Sequence, residues 1–228
     1  MKVIWMVAFC LLVVLFVPLP CAYCSLQKRR RATHGYPSDT NAGSGNSRRV
    51  WGGIGPYLVG YTRLLCLLYG RIPSFRLRRF CYRHIFRMTI SKKAIIYGGC
   101  EFRDPWNISI GDSVIGPNCI LDGRRGLFIG DHVCFGSQIA VWTLQHSYQD
   151  PDFGTNGGAV YIEDYCWITF RTTVLPGRRI GFGCVTAANS VVSQDLEAHG
   201  VYAGVPCRRV AERNRDLHYR LTSHWHFY

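Results

Sequence analysis

The sequence predicts an all-β body, a parallel β-solenoid of six-residue units, with an N-terminal hydrophobic segment and helices before it and a short C-terminal helix after it. Three observations carry this. Ile162, Ile168, Val174, Ile180 and Val192 recur every six positions, with Thr186 in the same frame. Four residues after each stands Cys166, Thr172, Arg178, Cys184, Ser190 or Leu196, mostly small. Glycine often follows the first position, as in Ile110-Gly111, Ile129-Gly130, Phe135-Gly136 and Ile180-Gly181. A period of six is neither that of a helix nor that of an alternating strand. It fits a short strand plus a tight turn: the aliphatic side chain points inward, the small residue fills the corner, and Gly, Asn or Asp takes the turn where positive φ is needed. Three units close a triangular coil, and stacked coils bury a continuous core.

In chain order, residues 1–27 form a hydrophobic segment in which Val3–Cys24 carries no charge. It is long enough to cross a bilayer. One reading is a cleaved signal peptide with its apolar core at 3–17 and a cleavage site near Ala22-Tyr23-Cys24. The preferred reading is a retained anchor: "KRRR" at 28–31 follows directly, and basic flanks stay cytoplasmic. The body then sits at the cytoplasmic face of the membrane, or, alternatively, in the cytoplasm. Residues 28–50, rich in Gly, Ser, Asn and Thr, are expected to be a flexible basic linker. Residues 51–89 are expected to be helical, an apolar helix in 55–71 and a basic aromatic one in 74–87. These suit an anionic membrane surface; packing on the body with arginines solvated stays open beside it.

The solenoid is expected over 90–207. Ile90, Ile96, Phe102 and Ile108 keep the spacing loosely, and the frame slips by one residue between Ile110 and Ile115. Ile129, Phe135 and Val141 then lead to a 21-residue interval before Ile162. Counted as three repeats, that interval leaves about three residues for a loop, within "LQHSYQDPDFGTNGG". Polar excursions on a rigid solenoid are where function usually sits. In 208–228, "VAERNRDLHYRL" reads as a short amphipathic helix, and "TSHWHFY" as a cap for the open end.

Net charge is +13, but it is uneven. From Lys28 to Lys93 there are 15 basic residues and one acid, Asp39; from Ala94 onward there are 11 basic and 13 acidic residues. A slightly acidic body argues against nucleic acid as partner. The 11 cysteines match no zinc spacing and read as buried reduced thiols packing as small hydrophobes. No metal is expected: His132 and His199 read as turn residues, and the spacing of His218, His224 and His226 is a weak ligand pattern.

Residues 90–207 resemble the left-handed parallel β-helix acyltransferases, the hexapeptide-repeat family. Within that family they look like the sugar O-acetyltransferases, such as the galactoside, maltose and above all the colanic-acid type. The resemblance is carried by His146 followed by Asp150-Pro151-Asp152-Phe153, and by "ILDGRRGLFIG" (120–130), "YCWI" (165–168), "LPG" (175–177) and "YAGVPCRRV" (202–210). The closely spaced histidine pair of the γ-type carbonic anhydrases, which share the coil, is absent.

The resemblance makes His146 the catalytic base. Acyl transfer from a thioester to a hydroxyl needs a base near neutral pKa, and a histidine supplies it. Asp150, Asp152 or a backbone carbonyl would fix its tautomer, and turn amides would hold the oxyanion. No residue demands a covalent intermediate, so transfer is expected to be direct. The implied donor is acetyl-CoA, in a groove offering Trp167, Ala187, Asn189, Ser190, Gly204, Val205, Pro206, Arg208 and Arg209. Gly204-Val205-Pro206 also reads as a plain turn. Relatives usually show Trp-Ile-Gly where this chain has Trp167-Ile168-Thr169, which puts the groove's detail in doubt. The implied acceptor is a sugar or lipid-linked saccharide, with Asp122, Arg124 and Trp142 as candidate contacts. Trp142 also reads as core and Asp122-Gly123 as a turn. A homotrimer is implied. Two other readings stand beside this one: acetylation of a small soluble acceptor, and a non-catalytic scaffold at the membrane.

Overall fold

A computed structural model describes residues 16–34 and 53–221. Among the described residues, sixteen of nineteen short strands wind into a left-handed parallel β-helix with three helices before it, and the other three pair antiparallel. The helices are α1 (Pro18–His34), α2 (Ile54–Gly70) and α3 (Phe75–His84). The first face stacks β1 (Thr89–Ile90), β4 (Ile108–Ile110), β7 (Leu127–Ile129), β12 (Val160–Ile162) and β15 (Arg179–Ile180). The second stacks β2 (Ile95–Ile96), β5 (Val114–Ile115), β8 (Cys134–Phe135), β13 (Trp167–Ile168), β16 (Val185–Thr186) and β18 (Gly200–Gly204). The third stacks β3 (Glu101–Arg103), β6 (Ile120–Asp122), β9 (Ala140–Val141), β14 (Thr173–Val174) and β17 (Val191–Val192).

The six-residue rhythm is the core. On the first face Ile90, Ile110, Ile129, Ile162 and Ile180 register one above another, and all are buried. Thr186, the polar member of the frame, is also buried, and Thr172 Oγ1 lies 3.0 Å from its Oγ1. The corner cysteines Cys166 and Cys184 are fully buried free thiols, as expected of small hydrophobes. Arg178 is the exception among the corner residues and stays half-exposed.

The turns are less restricted than expected. Positive φ falls three residues after the inward side chain, at Gly99, Asn118, Gly177, Gly183 and Asn189, but also at His132, Gln138, Tyr165, Arg171 and His199. The left-handed cost, about 1 kcal/mol for a side chain, is offset by a hydrogen bond to the preceding coil. Tyr165 N–H, for example, donates to Asp131 O at 2.9 Å and His199 N–H to Phe182 O at 2.8 Å.

Three further expectations need correction. Ile108 does not repeat Ile90; the register pairs Ile90 with Ile110, because a 3-10 turn at Pro105–Asn107 lengthens that corner. The linker expected over 28–50 is contradicted at its start, since 28–34 continue α1, where Lys28 Nζ donates to Arg87 O at 3.0 Å and Thr89 Oγ1 at 2.8 Å; residues 35–50 lie outside the described residues. No helix follows Arg209: residues 210–212 end the strand β19 (Cys207–Glu212), antiparallel to β18, and 213–221 are in neither helix nor strand. An open sheet edge leaves N–H and C=O groups unpaired, and the returning chain satisfies them. The segment "TSHWHFY" lies outside the described residues, except Thr222's predecessor Leu221, where the description ends.

Among the described residues no helix is long and apolar enough to cross a membrane. Most of the expected anchor lies outside them. Its last part, from Pro18, is in α1, where Tyr23 and Cys24 are buried.

Candidate active site

The repeat breaks once on a large scale. Successive first-face residues lie 18 apart between Ile162 and Ile180 but 33 apart between Ile129 and Ile162. Val141 and Ile162 sit on neighbouring faces, a step that takes six residues from Val174 to Ile180 and eight from Leu121 to Ile129, so the excursion is far longer than the expected three. It folds as a hairpin of β10 (Leu144–His146) and β11 (Thr155–Gly157), with His146 opposite Thr155. Gly157 makes its return possible, because a Cβ there would collide with the Thr143 carbonyl.

His146 ends β10, exposed at the rim. Its Nδ1 lies 2.8 Å from the Phe153 carbonyl oxygen, and the two rings stack with centroids 4.1 Å apart. Phe153 holds φ 52°, a left-handed conformation unusual for a bulky residue, and this turns its carbonyl to the imidazole. A carbonyl only accepts, so in the neutral ring Nδ1 carries the proton and Nε2 is the basic nitrogen.

The expected aspartate partners do not take that role. Asp150 Oδ1 accepts from Asp152 N–H at 2.9 Å, and Phe153 N–H donates to Asp150 O at 3.0 Å. Both carboxylates are exposed and shape the hairpin tip.

His146 lines a cleft of about 430 Å³ with Trp142, Arg124, Arg103, Gln145 and Pro176. Trp142 is half-buried, with the Arg103 guanidinium 4.7 Å from its ring centroid. Asp122 is fully buried, so it is no acceptor contact. Its carboxylate takes Arg124 Nε at 2.9 Å, Arg124 Nη2 at 2.9 Å and Thr143 N–H at 3.1 Å. Arg124 Nη2 also donates to Leu144 O at 3.0 Å. Asp122 and Arg124 therefore clamp the root of the histidine hairpin. Burial alone would raise the Asp122 pKa, but the hydrogen bonds from Arg124 and Thr143 outweigh it and hold the carboxyl below its ordinary value. That clamp was hidden in the sequence, where Asp122-Gly123 reads as a turn.

The donor-groove candidates lie elsewhere on the coil. Trp167 stands outward on the second face, 48% exposed, in line with Cys134 and Val185. Ala187 and Asn189 follow at the corner between the second and third faces, whereas the His146 cleft opens between the third and first. One chain does not bring the two sets together. Ser190 is fully buried at an inward corner, like Thr172, and is out of reach of a ligand. Gly204, Val205 and Pro206 form the exposed turn between β18 and β19. Arg208 donates to Gln194 at 3.3 Å, and Arg209 pairs with Glu197 at 2.9 Å. Thr169, the departure from the family pattern, turns its hydroxyl to the Thr186 carbonyl at 2.6 Å, binding the fourth coil to the fifth.

No family model matches the chain. Individual relatives do. It is 29% identical over 140 residues to WcaF of Escherichia coli, an acetyltransferase named for colanic acid biosynthesis, covering 61% of this chain and 76% of that one. It is 33% identical over 111 residues to the galactoside O-acetyltransferase of Lactococcus lactis, covering 47% of this chain and 53% of that protein. Its fold matches a Vibrio cholerae hexapeptide-repeat acetyltransferase solved with acetyl coenzyme A, at a TM-score of 0.64 and 26% identity over 72% of this chain and 91% of that one. The chain is similar in sequence to sugar acetyltransferases and in fold to a hexapeptide-repeat acetyltransferase.

The residues missed by sequence reasoning are Arg103 and Gln145, together with the role of the Phe153 carbonyl. A cation beside Trp142 comes from two coils below, and a backbone carbonyl has no sequence signature. Only the family's Asp-Pro-x-Phe pattern pointed at Phe153.

Proposed function

We propose that the protein moves the acetyl group of acetyl-CoA directly to a sugar hydroxyl, with His146 as general base. The observation that carries this is the His146 tautomer: Nδ1–H held by the Phe153 carbonyl, Nε2 left basic beside the cleft. The acceptor hydroxyl gives its proton to Nε2 as its oxygen attacks the thioester carbonyl. The tetrahedral oxyanion is held by backbone N–H donors. It collapses by breaking the C–S bond, and the imidazolium returns the proton to the departing CoA sulfur. Trp142 and Arg103 border the space for a saccharide, the indole offering a flat apolar surface and the guanidinium hydrogen-bond donors. The sugar-acetylating relatives support this acceptor class.

The donor-groove and acceptor residues lie at different corners of one chain. That separation supports a homotrimer in which a neighbouring copy brings Trp167, Ala187 and Asn189 to the His146 cleft. The acceptor is a saccharide of a surface-polysaccharide pathway held at the cytoplasmic face of the membrane, which fits the uncharged Val3–Cys24 segment and the basic flank. The test is acetyl transfer by the purified full chain from acetyl-CoA to saccharide acceptors, with mass spectrometry of the products. A saccharide gaining acetyl groups with wild type and not with His146→Ala is the expected result. Thioester turnover with no saccharide product would overturn the acceptor class.

A further inference from the structure

α2 is apolar apart from Arg63, whose guanidinium pairs with Asp104 at 3.8 Å. Its inner face, with Leu65 and Cys66, is buried against the first coil. Its outer face follows the same helical period and presents Tyr57, Leu64, Leu67 and Leu68, between 39% and 79% exposed. A helix that is hydrophobic all round belongs in apolar surroundings. α3 adds Leu77 and Phe80, at least half exposed, beside Arg76 and Arg83.

The placement gives these faces one direction. α2 packs on β3, and α3 on β1 and β2, so the two helices lie across the end of the solenoid. Ile90, Ile96 and Phe102 of that terminal coil are buried beneath them. The outer faces therefore look along the solenoid axis, away from the coils.

Charge selects the occupant. α1, α2 and α3 contain no acidic residue. Lys28 to Lys93 holds 15 basic residues against one acid. A second copy of this face would set arginine against arginine, which disfavours self-pairing. An anionic bilayer satisfies both the apolar stripe and the cations. The uncharged segment before α1 is a second membrane-seeking signal in the same part of the chain.

We propose that the outer faces of α2 and α3 are a docking surface for an anionic lipid bilayer, on which the solenoid stands on end. The His146 hairpin leaves the third coil, so its cleft stands about 20 Å above the surface, from coil and helix-layer spacings. That height suits the saccharide of a membrane-bound carrier; this last point alone rests on the proposed function.

The experiment is vesicle flotation of the full chain, which involves no acetyl transfer and so fails or succeeds independently of the chemistry. Vesicles are phosphatidylcholine alone or mixed with phosphatidylglycerol. Wild type is expected to float with the mixed vesicles, weakly with the neutral ones, and to be released by salt. The double variant Leu64→Glu/Leu68→Glu should bind about tenfold less tightly, and Arg76→Gln/Arg83→Gln should lose only the preference for anionic lipid. Leu64, Leu68 and Arg76 are exposed and Arg83 is half-exposed, and unchanged circular dichroism confirms folding. Wild-type binding by the leucine variant, or equal binding to both vesicle types, overturns the proposal. So does a leucine variant that dissolves an oligomer while floating normally.

Discussion

The Nδ1 of His146 is held 2.8 Å from the carbonyl oxygen of Phe153, and the two rings stack within 10° of parallel. One residue thus supplies both the acceptor that fixes the tautomer and the surface that fixes the ring plane. Replacing Phe153 with Ala keeps the carbonyl but removes the stack. We expect kcat to fall about tenfold, the order of one aromatic contact, with little change in the KM for acetyl-CoA. Steady-state kinetics check this.

We expect the exposed carboxylates beside His146 to be spectators of the proposed proton transfer. Asp150→Asn keeps an acceptor for the Asp152 N–H, and Asp152 enters the tip through its backbone. Each Asn variant should keep its kcat within about twofold of wild type, the scale of surface changes. A loss of about a hundredfold in either would restore the aspartate as the orienting group.

Asp122 links fold and site. Its folded pKa lies below the ordinary value, so its contribution to stability is present above the unfolded carboxyl pKa and is lost as pH falls through the folded one. Asp122→Asn should cost about 2 kcal/mol near neutral pH. The gap between wild type and variant should narrow below about pH 4, the unfolded value. Denaturant melts across pH measure this. The variant should also lose activity, since the hairpin root at Thr143 and Leu144 is released.

The corner thiols should be inert. Burial raises the pKa of Cys166 strongly and pushes Cys184 up to about 11. Alkylation at pH 8 should label neither in the native protein and both in denaturant, as peptide mapping would show.

How much of this was legible in the sequence follows from what is local. The inward frame from Ile162 to Val192 was legible because each coil repeats the same short pattern. The hairpin's length was not: the gap from Val141 to Ile162 does not say how many faces it crosses, and it crosses one corner rather than a whole coil. His146 was legible through the family pattern and its place in the interruption. Its partner was not, because a carbonyl belongs to every residue and only the left-handed Phe153 aims this one. Ser190 falls in the corner frame, which its burial matches, although the resemblance also offered it to the donor groove; Asp122 reads as a turn residue and is buried by the coil. The strand after Arg209 was misread because an amphipathic pattern competes poorly with an open sheet edge that needs pairing.

The most direct test of the central claim is the kcat of His146→Gln against wild type at saturating acetyl-CoA and acceptor. Gln keeps a polar side chain of similar reach but cannot take a proton near neutral pH. The account predicts a fall of about 10² to 10⁴ in kcat with the KM for acetyl-CoA nearly unchanged. A variant that turns over within about threefold of wild type would contradict it.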